Sequence, residues 1–142
     1  MTAAERWRGR ALTVEAGILL ATARALVAMV EFGRWRALLG RPLPAEPGDP
    51  ALDLVRNRAA RRLSRAVERG ARWLPGNSRC LPQALALAWM LRRRGIACTL
   101  VLGVLSGARR GALNDLHAWV VCDGEIVIGR SEQAYRPLAA FR

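Results

Sequence analysis

Ser78-Arg79-Cys80-Leu81-Pro82-Gln83-Ala84-Leu85-Ala86-Leu87-Ala88-Trp89-Met90-Leu91-Arg92-Arg93-Arg94-Gly95 reads as one helix with a cysteine in its first turn. Ser78 is placed to cap the free N–H groups, and Pro82 suits an opening turn, where its missing donor has no intrahelical partner. Gly95 follows the last periodic residue as a left-handed stop. Leu81, Leu85, Trp89 and Arg92 fall along one line, widened by Ala84, Leu87, Ala88 and Leu91 into a broad apolar stripe. The helix is therefore expected to be mostly buried. Cys80 then lies at its positive end, where unpaired N–H groups stabilise a thiolate and favour a nucleophile. A lone cysteine is more often a small buried hydrophobe, so the weight of this reading rests on the residues downstream of Gly95.

Past Gly95 the hydrophobic period changes. Ile96 to Val104 is β-branched and apolar and reads as a buried strand. Ser106 to Asn114 is a polar loop. Leu116 to Cys122 is a second strand and Glu125 to Gly129 a third, with Asp123-Gly124 between them as a two-residue hairpin turn. The only histidine, His117, opens the second of these strands. A cysteine at a helix N-terminus and a histidine on a later strand are the two parts of a thiol nucleophile and its base.

Upstream, residues 3–38 read as one long helix or two broken ones. The run from Ala16 to Val30 is strongly apolar and follows Arg6, Arg8 and Arg10, as a signal or anchor segment would. Glu15, Arg24 and Glu31 interrupt it, so a buried helix is expected in place of a membrane span. Residues 41–50 form a proline-containing linker. Asp49-Pro50 opens a second helix, whose apolar residues Leu52, Val55, Ala59, Leu63, Ala66 and Val67 recur every three or four positions up to Gly70. Its arginines, Arg56, Arg58, Arg61, Arg62, Arg65 and Arg69, mark the remaining faces. Charged helix faces are usually solvated, and an acidic partner is the sharper alternative.

At 142 residues, 52% of them hydrophobic, the chain can build one sizeable core. It divides into an N-terminal helical region, 1–72, and a cysteine-bearing core, 73–142. All 23 basic residues are arginine, which excludes Schiff-base and Ser–Lys chemistry. The net charge of +12 is spread evenly, about +7 before Asn77 and +5 from there on. Such a charge attracts nucleic acid, an anionic membrane or an acidic peptide. No RNP-type or zinc-finger spacing supports nucleic acid. Cys80, Cys98 and Cys122 show no CxxC spacing, and with one histidine no metal site is expected. Three free thiols in a reducing cytoplasm are the simplest reading.

Residues 78–129, with Ser-Arg-Cys-Leu, Leu-Arg-Arg-Arg-Gly-Ile and His-Ala-Trp-Val-Val-Cys-Asp-Gly, resemble the transglutaminase-like cysteine proteases of lasso-peptide biosynthesis. The helical N-terminal half, with its Arg-Pro-Leu linker, resembles the same family. The resemblance implies an α+β fold: a papain/transglutaminase-like core in which the cysteine helix packs on a small antiparallel sheet carrying a His and then an Asp. It makes Cys80 the nucleophile and His117 the general base and acid, with no cofactor and no metal. The implied reaction cleaves the leader from a ribosomally made precursor, freeing the core's amine for a separate ATP-dependent cyclase. The implied partners are the precursor peptide, a separate leader-recognition protein and that cyclase, all in the cytoplasm; nucleic acid is not expected, and the apolar first helix leaves membrane-surface contact open. Two competing readings are a transglutaminase-like amidase or acyltransferase, and a non-catalytic Arg-rich helical module that binds an acidic peptide or nucleic acid.

The third catalytic residue departs from the family. Its Asp is expected about twelve positions after the His, where this chain has Gly129. Counting back from a Cys122–Glu125 turn pair places His117 opposite Arg130. Asp123, at the far end of its strand and roughly 20 Å away, is out of reach of the imidazole. Glu132 would lie one diagonal step away. Glu132, a backbone carbonyl or a water is then left to orient His117.

Overall fold

The computed structural model describes residues 1–31, 34, 36–39, 42–43, 54–74, 80–105, 116–131 and 135–142. The fold is α+β, as expected. Among the described residues three helices, α1 (Ala3–Met29), α2 (Leu54–Trp73) and α3 (Cys80–Arg93), lie with a 3-10 turn over Arg36–Leu39 beside one antiparallel sheet. Its strands are β1 (Pro42–Leu43), β2 (Thr99–Leu105), β3 (Leu116–Cys122), β4 (Glu125–Ile128) and β5 (Tyr135–Phe141), in the order β1-β5-β2-β3-β4. Ser78, the Asp49-Pro50 cap, the 41–50 linker apart from Pro42 and Leu43, the 106–114 loop and Glu132 fall outside the described residues.

One hydrophobic cluster joins both halves of the chain. Ala16 and Leu20 of α1, Leu63 and Val67 of α2, Leu85 and Leu87 of α3, and Ala118 and Val120 of β3 all belong to it. The cysteine helix is its centre: Ala84, Leu85, Ala86, Leu87 and Met90 have no exposed surface. Gly95 stops α3 with φ +67°, and Ile96 N–H donates to the Leu91 carbonyl across the turn. The chain then enters β2.

α1 is held by a capping box in which Thr2 accepts from the Glu5 N–H and Glu5 accepts from the Thr2 N–H. Only a narrow stripe of it, Ala16, Leu20 and Ala23, is buried, while Trp7, Val14, Ile18 and Met29 stay exposed. The expected buried helix is therefore buried along one line, because among the described residues α1 packs chiefly on α2 and α3. By length and composition it is a helix that could cross a membrane. α2 does not end at Gly70; it continues to Trp73. Gly70 is where α1 crosses: a Cβ there would stand 3.1 Å from the Gly17 backbone nitrogen, so the missing side chain admits the neighbouring helix.

Glu15 ties α1 to α3. Its carboxylate accepts from Arg94 Nη1 at 2.9 Å and Nη2 at 2.6 Å, with Arg93 at 3.2 Å. The Arg94 hydrogen bonds hold the Glu15 carboxyl below its ordinary value of 4.5. A depressed folded-state value adds stability above the unfolded value and loses it as pH falls through the folded one. Thermal melts from about pH 7 to pH 3 should therefore show a shallower acid-side loss in Glu15→Gln than in the parent. The pair is partly solvated, so the difference should stay below about 1 kcal/mol.

Two of the three cysteines are not free. Cys98 and Cys122 form a disulfide with their Cα atoms 4.7 Å apart. The reason is register: Thr99 pairs with Val121, so the preceding and following residues face each other across β2 and β3. Closing the 24-residue separation stabilises the fold by about 3.5 kcal/mol in the chain-entropy account. Only Cys80 is a free thiol, so cysteine usage no longer argues for a reducing compartment.

Candidate active site

Cys80 is the first residue of α3 and is half-buried. Buried Pro82 occupies the first turn, where its ring costs no hydrogen bond. α3 is about 21 Å long at 1.5 Å per residue, and it packs against β3 and β2. Gly103 of β2 pairs with His117. Among the described residues no hydrogen bond joins Cys80 and His117. Ala118, Val120 and Cys122 of β3 face the core, and strand alternation puts His117 and Trp119 on the opposite row.

His117 is held from several directions. Its Nε2–H donates to the Gly129 carbonyl at 2.5 Å. A carbonyl can only accept, so Nε2 carries the proton and a neutral ring keeps its Nδ1 lone pair available to take one. The imidazole stacks on Tyr135, with centroids 4.6 Å apart and planes at 26°. Trp119 flanks it at 5.8 Å. Neither aromatic ring is marked as a site residue by its sequence position. Trp119 follows the histidine by two, and its place on the same row of β3 is the one available signal.

The carbonyl that holds His117 belongs to Gly129, the position where the resemblance leads one to expect an Asp. The turn is as expected: Cys122 pairs with Glu125, and both central residues have positive φ, +49° at Asp123 and +79° at Gly124. The register beyond it is not. Val121 pairs with Ile126 but Val120 with Ile128, so Val127 is an extra residue and the simple count from His117 to Arg130 fails. Ser64 of α2 donates its hydroxyl to the Val127 carbonyl at 2.5 Å, which satisfies the group that the bulge removes from the ladder. Asn57 donates to the Glu125 carboxylate at 3.0 Å, and Arg61 pairs with it. These contacts fix β4 against α2 and so fix where Gly129 emerges. Gly129 has φ +84°, and a Cβ on it would stand 2.5 Å from the Ala118 carbonyl oxygen. A side chain is excluded there, so the backbone has taken over. Asp123 is buried in the turn at the far end of β3, away from His117.

Gly103 completes the site from β2. A Cβ there would lie 2.5 Å and 2.6 Å from two atoms of the Trp119 six-membered ring, so the indole occupies the space the missing side chain leaves. Gly103→Val should displace Trp119 and loosen the imidazole. A loss of roughly tenfold or more in activity, with β2 still formed, is expected by paired kinetics and circular dichroism.

Among the described residues no cluster of three or more His, Cys, Asp or Glu is arranged to hold a metal. What the arrangement offers is a free thiol at a helix start and, on the row of β3 opposite its core-facing residues, an imidazole held by the Gly129 carbonyl.

The family model described as Transglutaminase-like superfamily matches residues 19–140. No curated protein and no solved structure matches the chain.

Proposed function

The chain belongs to the transglutaminase-like superfamily, and from that premise we infer that it is a cysteine peptidase that removes the leader from a lasso-type precursor peptide. The observation that carries the reading is the Nε2–H bond from His117 to Gly129, because it leaves Nδ1 as the proton acceptor. In the reaction Nδ1 takes the Cys80 proton as Sγ attacks the scissile carbonyl. The imidazolium returns the proton to the leaving amine, which is the new N-terminus of the core. Water then attacks the thioester, giving its proton back to Nδ1, and releases the leader carboxylate and the free thiol. For this, Sγ and Nδ1 have to come within hydrogen-bond reach once substrate is bound; such contacts often tighten only in the complex. The resemblance of the Cys80 and His117 motifs to the lasso leader peptidases supplies the substrate.

The expected setting is cytoplasmic, with a separate leader-recognition protein that raises the effective substrate concentration at Cys80. The test is mass spectrometry of precursor incubated with the chain, with and without that protein. Leader and intact core should appear, faster by an order of magnitude or more with the partner. Binding of the precursor without any product would leave only the Arg-rich binding module. Equal rates with and without the partner would remove the tethering.

A further inference from the structure

α1 and α2 touch where Gly17 meets Gly70, and toward the N-terminus of α1 they part to leave a groove of about 810 Å³. Its apolar surface comes from Val14, Trp73 and Leu74, with Trp73 84% exposed and Val14 62% exposed. A tryptophan that open to water, over an apolar floor, is an anchor without a packing partner among the described residues. The walls are cationic: Arg6, Arg10 and Arg69 line them. Arg69 spends its Nε on Thr13, and Arg6 donates to the Met1 carbonyl. No carboxylate among the described residues pairs with these three. The one acid in the groove, Glu5, is engaged by Thr2 in the helix cap.

The geometry points to this groove as an exosite for an acidic peptide segment with an apolar anchor residue. The charge selects carboxylates, and the volume is in the range of ligand pockets, enough for a few side chains. Its position gives it a use. Leu74 lines the groove and Cys80 follows six residues later, so the two are at most roughly 20 Å apart along any path of the chain. A peptide seated beside Trp73 can therefore present a bond several residues further on to Cys80. That link rests on the peptidase reading; the binding itself does not.

The experiment uses the full chain carrying Cys80→Ala, so that nothing is cut. Fluorescence anisotropy follows a labelled peptide with glutamates flanking a Leu-Phe pair, its counterpart with lysines in place of the glutamates, and vesicles of phosphatidylserine in phosphatidylcholine. The glutamate peptide should bind, weaken with salt, and lose about tenfold in affinity with either Arg10→Glu or Trp73→Ala. Both side chains are exposed, and unchanged thermal melts verify the fold. The proposal is overturned if the lysine peptide binds equally, if neither substitution matters, or if only vesicles bind. Because the assay reads binding alone, its failure leaves the hydrolysis test standing, and success without hydrolysis leaves the exosite standing.

Discussion

Cys80→Ala should abolish leader release, a loss of about a thousandfold or more, while the protein stays folded and binds its peptide. The size of the effect follows from covalent catalysis: without the thiol no thioester forms, and only weak positioning effects remain. Structural damage is not the cause, because Cys80 is half-buried at a helix end and its thiol is free. The other two cysteines provide the contrast. Cys98→Ala breaks the bond to Cys122 and should cost about 3.5 kcal/mol of stability at most. At a temperature where the variant remains folded it should keep most of the parent activity. Thermal melts and precursor digests on both variants separate chemistry from stability. Full activity in Cys80→Ala would end the peptidase reading.

Gly129→Asp is the second large effect, and its direction opposes the family expectation. By resemblance an aspartate belongs at this position, and putting it back should help. The geometry predicts damage. Backbone φ at 129 is +84°, and the new Cβ would meet the Ala118 carbonyl oxygen at 2.5 Å and Trp119 Cα at 2.9 Å. Backbone strain and overpacking together should cost about 2 to 5 kcal/mol, and β3 has to move. The Gly129 carbonyl then leaves His117 Nε2, so activity per folded molecule should fall at least about tenfold. Gly124→Ala is the control. It too has positive φ, +79°, but its Cβ meets nothing within 4 Å, and it stands at the opposite end of β3 from His117. It should lose stability without losing activity. A faster Gly129→Asp enzyme would show that a carboxylate, not the carbonyl, is the natural orienter.

The difference between these expectations shows where the sequence is legible. The α3 helix, its Gly95 stop, the β3 span and the Asp123-Gly124 turn are all local signals, and the structure has each of them. The bulge at Val127 is not local. It exists because Ser64 and Asn57, on a helix some sixty residues away, bond to β4. No count along the hairpin contains that information, so the true register is one residue off the counted one. β5 is hidden for another reason: Pro137 breaks its strand pattern, and the structure accommodates it beside a register shift opposite Leu102 and Gly103. Tyr135, which stacks on His117, is hidden with it. Gly70 reads as a helix stop in the sequence because its packing partner, Gly17, lies on another helix. The cysteines fail similarly: spacing shows no pair, whereas strand register creates one.

The central claim is that Cys80 is the attacking nucleophile and His117 activates it. A precursor-derived leader peptide ending in a vinyl sulfone at the scissile position tests this most directly. Such a group is captured fastest by a positioned, activated thiolate. Tandem mass spectrometry should find the adduct on Cys80, and His117→Ala should slow its formation by about two orders of magnitude. An adduct on another residue, or continued hydrolysis of the precursor while Cys80 stays unmodified, would contradict the account.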